Sequence, residues 1–442
     1  MKQATRRKFL TSSLKIGAVL PLLNFPLISF AAGGDENTSN LYKPTGLPDR
    51  IILNITEDPS TSISVCWRTE VTSEENKIEY AVADAHPDFI DKAISIKANS
   101  EVFKFEVISA QNHNITLKGL IPDTLYAYRV GRENNWSEWM QFRTSEKNSS
   151  TAKLDFIYLG DAQVGIKPLW SRVVRKAYAA MPDAKLVIHA GDLVNRANKD
   201  DEWGDWFGAG SFVHATIPAL MTPGNHEYTH EDGKPHLSLY WKKQFKLPPN
   251  GPEDELLAGS CYVTDIQGVR IISLNTQMIE EAMSNDCIIN QVNWLHGVLK
   301  QNPQQWTCVV MHHPVFSTND HRNNKMVKKY IKPIFDQYKV DIVLQGHDHA
   351  YARGMTKVPL TNGHAGSHSG TMYVVSVSGS KMYETNPMEW ADTISSHVQL
   401  YHTLSINDKV LSFKAFLATG ELLDAFDLVK QSGTSNQLIN RK

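Results

Sequence analysis

Cysteine is scarce, with four residues in 442 (Cys66, Cys261, Cys287, Cys308) and no C-x-x-C pair among them. That spacing excludes a paired-thiolate metal site and a disulfide-built scaffold. Cys66 and Cys308 lie in apolar strand-like runs and read as core thiols. Pairing of Cys261 with Cys287 stays open, because sequence fixes no distance between them. Neither charge is in excess, with 45 Lys+Arg against 47 Asp+Glu, so there is no nucleic-acid-binding signature. An apolar run of roughly 20 residues, as a membrane span needs, is also missing. The candidate, Ile16 to Phe30, is broken by Pro21 and Pro26. There is no internal repeat and no low-complexity tract. What remains, 41% hydrophobic and 21% charged, is ordinary folded-protein composition, long enough for two or three domains.

Residues 1–32 carry five cations and no carboxylate, from Arg6-Arg7-Lys8 through the apolar run to Ser29-Phe30-Ala31-Ala32. This is the layout of a twin-arginine signal peptide. The expectation is export to a bacterial periplasm or beyond, with no stable membrane span after cleavage. Such export carries folded proteins, often with a cofactor already inserted.

After a linker at 33–44, residues 45–146 alternate with period two. In Ile63-Ser64-Val65-Cys66-Trp67 and Tyr126-Ala127-Tyr128-Arg129-Val130 the large apolar side chains share one face, which predicts strands. The run Leu120 to Tyr126 resembles the corner of a fibronectin type III sandwich, where a Tyr hydroxyl ties to the preceding backbone. From 153 to 430 the pattern becomes buried strand, loop, helix, an α/β alternation. Strands are predicted at 154–159, 185–188, 217–221, 269–274, 306–311 and 340–344, with helices near 169–180, 291–299 and 325–338. Four further strands, 371–377, 400–406, 410–416 and 422–429, close the domain, and 431–442 reads as a tail.

The chemistry follows the buried strands: Gly160-Asp161, Gly191-Asp192, Gly224-Asn225-His226-Glu227, His312-His313-Pro314 and Gly346-His347-Asp348-His349. In α/β sheets the loops at carboxyl strand ends assemble sites, and glycine lets the backbone aim a side chain inward. Carboxylate, amide and imidazole donors without sulfur suit hard or borderline divalent ions, or iron. Two adjacent ions need a shared carboxylate. Asp192, between the other clusters in chain order, is the natural bridge, and His347 and His349 can serve adjacent ions. His313 and Asp348 read as orienting groups, and Tyr228, His230 and Tyr351 as rim candidates. His189, His214 and His296 read as structural, Trp203 and Trp206 as a packed helix face, and 363–370, with His364 and His368, as a loop.

These motifs, in this order, resemble the metallophosphoesterase superfamily, and the sandwich in front narrows the likeness to the purple acid phosphatase family, over about Leu47 to Val429. The resemblance implies an N-terminal all-β fibronectin type III-like sandwich followed by an α/β sandwich of two mixed sheets flanked by helices. It implies that Asp161 and His349 bind the first metal, Asp192 bridges, and Asn225, His312 and His347 bind the second. It also implies that His226 faces the substrate and that His321 contacts it. Two positions depart from the family pattern. Asn195 stands where the family has the iron(III)-binding Tyr, which predicts no visible charge-transfer band. Gln163 stands where the family has Gly and calcineurin-like enzymes have His. The first metal's identity is therefore open among iron, manganese and zinc.

The implied reaction is hydrolysis of a small-molecule phosphate monoester by a metal-bound hydroxide, with His226 as proton donor to the leaving alkoxide. A phosphodiesterase or nucleotide hydrolase with the same metals is the nearest alternative. An inactive envelope-binding protein is another. Substrate, pH optimum and oligomeric state are not encoded in these motifs.

Overall fold

The computed structural model describes residues 41–149, 151–282, 284–319, 322–356, 370–432 and 434–442. The signal segment, His321 and residues 363–369 of the expected loop lie outside the described residues.

Two mixed sheets stack face to face. The first has eleven strands in the spatial order Gln437–Asn440, Leu422–Val429, Val410–Leu417, Leu400–Ile406, Leu154–Leu159, Leu186–His189, Ala219–Met221, Asp49–Asn54, Ile63–Thr69, Ile108–Leu117 and Asn99–Phe105. The second has seven: Tyr262–Ile266, Val269–Leu274, Trp306–Met311, Ile342–Gln345, Met372–Val375, Tyr351–Met355 and Thr393–Ser395. Each contains a parallel block, at 154–159, 186–189 and 219–221 in one and at 269–274, 306–311, 342–345 and 372–375 in the other. These blocks are buried on both faces, which is why their sequences run almost continuously apolar. Alternation sorts their side chains: Ile271, Val310 and Leu344 join Phe156 and Tyr158 between the sheets. Ile272, Val309 and Val343 instead pack with Leu295, Leu299 and Phe335 of the helices Asn285–Lys300 and Lys332–Tyr338. Helices Ser171–Ala180 and Asp200–Thr216 pack against the first sheet through Val173, Ala177, Trp203 and Trp206.

The N-terminal sandwich faces part of the first sheet with a second layer built from Lys77–Val82, Leu125–Arg132 and Met140–Arg143. Leu53, Val65, Trp67, Ile78 and Tyr128 fill its core. Its corner forms as expected: the Ile121 N–H donates to the Tyr126 hydroxyl at 2.9 Å. The sandwich is not a separate bead, since Asn54 pairs with Ala219 and the Ile55 N–H donates to the Ala219 carbonyl at 3.0 Å. The residues read as a tail add an edge strand, Gln437–Asn440, beside Leu422–Val429.

One buried ion pair ties the two sheets. Arg353 grips Asp424 with two N–H bonds, 2.8 and 3.1 Å, and the Tyr351 hydroxyl donates to the same carboxylate at 2.6 Å. Tyr351 is thus fully buried in this tie and not on a pocket rim, because the strand's alternation turns it inward. All four thiols are free and buried. No helix among the described residues is long and apolar enough to cross a membrane.

Candidate metal centre

The five strand ends converge because their backbones touch. Gly191 holds a φ of 89°, and a Cβ there would lie 2.6 Å from both the Gly224 nitrogen and His312 Nδ1. A Cβ on Gly224 would sit 2.2 Å from Asp192 Oδ1. Only glycine admits this approach. Asp192, His347 and His349 also have left-handed backbones, with φ of 51°, 78° and 50°. Such strain, about 1–3 kcal/mol per residue, concentrates where function fixes a side chain.

Two donor sets result. Asp161, Asp192 and His349 place ligand atoms within 4.8 Å of one another, and so do Asp192, His312 and His347. Asp192 is common to both. His312 Nδ1 donates to the Ala190 carbonyl at 2.9 Å, so its Nε2 is the atom turned to the centre. That Nε2 lies 3.1 Å from Asn225 Oδ1, 3.1 Å from His347 Nδ1 and 3.3 Å from Asp192 Oδ2. His349 Nδ1 likewise donates to the Lys381 carbonyl at 2.8 Å, leaving Nε2 for the other set. Atoms of metal-ligand type therefore converge in a buried cluster, an arrangement that fits cations.

The charges agree. Burial, with Asp192 alongside, raises Asp161 well above the usual carboxylate range. Burial would raise Asp192 too, yet His312 holds it well below that range. Burial would lower His312, yet Asp192 and Asp161 push it up to about 9. The two carboxylates thus draw positive charge to His312, while burial keeps His347 and His349 neutral-leaning, the latter lowered to about 4.

Supporting bonds fix the donors. Glu227, fully buried, accepts the backbone N–H groups of Asp192 (2.8 Å), Gly224 (2.7 Å), Leu193 (2.8 Å) and Val194 (3.4 Å). Burial, with Asp192 close by, pushes its carboxyl up to about 7. Asp161 accepts the His347 N–H at 2.8 Å. Asp348 accepts from the Ser317 hydroxyl and the Thr318 N–H at 2.8 and 2.6 Å, with Arg322 at 3.2 Å. His313 stands 4.4 Å, ring to ring, from His347 and bonds Thr276 at 3.0 Å.

The structure thus gathers Asp161, Asp192, Asn225, His312, His347 and His349 at one place. His226 lies beside them: its N–H donates to Asp192 Oδ1 at 2.9 Å, and its Nδ1 donates to the Asn195 carbonyl at 2.6 Å. It lines a cavity of about 430 Å³ with Asn195, Asn198, Lys199 and His230. Asn195 acts here through its backbone. Gln163, 0% exposed, donates from Nε2 to Asp192 Oδ2 at 2.7 Å, while its Oε1 has no partner among the described residues. Tyr228 is buried with its hydroxyl on Asn275, and His230 is exposed and paired with Glu281. His189 and His214 are buried beside Trp206, and His296 sits on a helix. The orienting roles of Glu227, Thr276 and Lys381 carried no separate sequence signal, although Glu227 lies inside the Gly224 motif.

Comparison with known proteins gives consistent findings. Residues 48–144 match the purple acid phosphatase N-terminal domain, and residues 154–351 match the calcineurin-like phosphoesterase family. Human acid phosphatase type 7 is 25% identical over 359 residues, 73% of this chain and 77% of that protein. Purple acid phosphatase 21 of Arabidopsis thaliana is 25% identical over 297 residues, 65% of this chain and 63% of that protein. A purple acid phosphatase from yellow lupin (Lupinus luteus) seeds shares the fold, with a TM-score of 0.73 at 17% identity over 88% of this chain and 75% of that one.

Proposed function

The chain belongs to the purple acid phosphatase family of calcineurin-like metallophosphoesterases, and we propose that it is an exported enzyme hydrolysing small phosphate monoesters at a dinuclear metal centre. The observation that carries this reading is the sharing of Asp192 by two mutually close donor sets. Asp161, Asp192 and His349 would hold one ion, and Asp192, Asn225, His312 and His347 the other. When bound, the ions supply charge neutralisation for the phosphate and an acidified water near neutral pH.

The chain's own residues do the rest. Glu227 holds the backbone of the Asp192 loop so that the bridge keeps its aim. His226 has Nδ1 committed to the Asn195 carbonyl, so Nε2 is the atom that meets substrate and passes a proton to the leaving oxygen. Asn195 has no phenol, so the purified protein is expected to be colourless in the visible.

The test is turnover of p-nitrophenyl phosphate against bis(p-nitrophenyl) phosphate by metal-loaded protein, with His226→Gln in parallel. Faster monoester turnover that falls in the variant supports the proposal. Preference for the diester transfers the site to a phosphodiesterase, and turnover of neither ester contradicts the enzymatic reading. Export is tested by cell fractionation of wild type and Arg6→Lys/Arg7→Lys. An intracellular wild type contradicts it.

A further inference from the structure

Gln163 is held inside the centre by the fold, yet part of its polar capacity is unused. Its side chain is 0% exposed. Its backbone N–H and that of Ala162 donate to the Asp192 carbonyl at 3.2 and 3.0 Å, which clamps this loop to the loop carrying the shared carboxylate. The side-chain amide then ends inside the first donor set. Its Nε2 is 2.7 Å from Asp192 Oδ2 and 3.3 Å from His349 Nε2. The amide oxygen is buried without a partner among the described residues.

A buried carbonyl oxygen with nothing to bind is costly, and natural interiors seldom keep one without a reason. The two ends of a terminal amide have the same shape, so a half-turn about the last bond exchanges oxygen for nitrogen without moving a neighbour. With a cation among Asp161, Asp192 and His349, the oxygen becomes the favoured end, since the NH2 group would point its positive edge at the ion. Resting on the dinuclear reading above, we infer that Gln163 supplies a carbonyl oxygen to the first metal ion and makes that position selective for a hard divalent ion such as manganese(II). The donor set is then three oxygens and one imidazole, with two carboxylates as its only anions. Oxygen-rich sets of this kind suit manganese, whereas an added imidazole suits zinc.

Full-length protein is loaded with manganese(II), freed of excess metal, and analysed for metal per chain and for its loss to a chelator. Wild type is expected to hold about two ions, and Gln163→Leu, of similar bulk without a donor, about one. Gln163→Glu retains an oxygen and is expected to keep both ions. Gln163→His is expected to hold both positions but to exchange manganese for zinc more readily than wild type. Gln163→Leu or Gln163→His matching wild type in stoichiometry, chelator loss and zinc exchange would overturn the inference while leaving the dinuclear centre intact. So would loss of an ion from folded Gln163→Glu, a variant that stays informative if the leucine protein does not fold. Wild type holding fewer than two ions contradicts the dinuclear reading itself and takes this inference with it.

Discussion

The sheet-to-sheet tie and the strand-end centre are two of the buried charged clusters of this fold, and they differ in one respect. The sheet-to-sheet tie is balanced: one guanidinium, Arg353, meets one carboxylate, Asp424, with the Tyr351 hydroxyl filling a further lone pair. The strand-end centre is unbalanced. Asp161 and Asp192 share it with imidazoles whose outer nitrogens are already spent on the Ala190 and Lys381 carbonyls. Burial costs both clusters solvation; the tie matches one cation to one anion, whereas the centre sets two carboxylates against His312. An interior that keeps surplus lone pairs marks a place built to receive something positive.

The sharpest way to break this contrast is substitution without added metal. Asp424→Asn should lose about 3–5 kcal/mol of stability, because it strands a buried Arg353. Asp161→Asn should lose less, because burial and Asp192 oppose its charge while His312 and the His347 N–H favour it. Urea unfolding of metal-free proteins measures both, and an equal loss in the two would erase the distinction. Added manganese tests the same point from the other side. At a hundredfold excess over its dissociation constant a ligand stabilises the native state by about 2.7 kcal/mol. The thermal midpoint should rise on metal addition in wild type and Asp424→Asn, and less in Asp161→Asn.

A smaller effect is expected from Glu227→Gln, which keeps the shape but replaces an acceptor-only group facing four N–H donors. Metal affinity should weaken by roughly 10–100-fold, the range for groups that orient ligands, as read by competition with a chelator. The smallest effect concerns histidines away from the centre. Burial lowers His214 from 6.5 to about 3, so below pH 6.5 the unfolded chain takes up a proton that the native chain refuses. Stability should therefore fall as the pH drops from about 6.5 towards 3. His214→Phe should reduce that slope between pH 7.5 and pH 5 in urea midpoints, and an unchanged slope would assign the loss elsewhere.

Much of the site was legible because its logic is periodic. Apolar runs such as Leu154–Leu159 and Trp306–Met311 end at Gly160-Asp161 and at His312, so strand ends and donors are read together. What escaped notice lacks a side-chain signature. Lys381 holds His349 through a carbonyl, and Asn195 holds His226 in the same way. The helix Asp200–Thr216 showed only its tryptophans, because Gly204, Gly208 and Gly210 weaken the helical pattern. The joining of the sandwich to the first sheet rests on a backbone contact between Asn54 and Ala219, which no local pattern announces. Tyr351 followed a histidine motif and read as rim, while strand alternation turned it to Asp424.

The most direct test of the account is metal analysis and p-nitrophenyl phosphate turnover of wild type beside Asp192→Asn, since Asp192 alone belongs to both donor sets. The account expects about two ions per chain in wild type. It expects the variant to lose metal from both positions and to lose turnover well beyond the roughly 100-fold that a supporting residue costs. A variant that keeps two ions and near-normal turnover would contradict it.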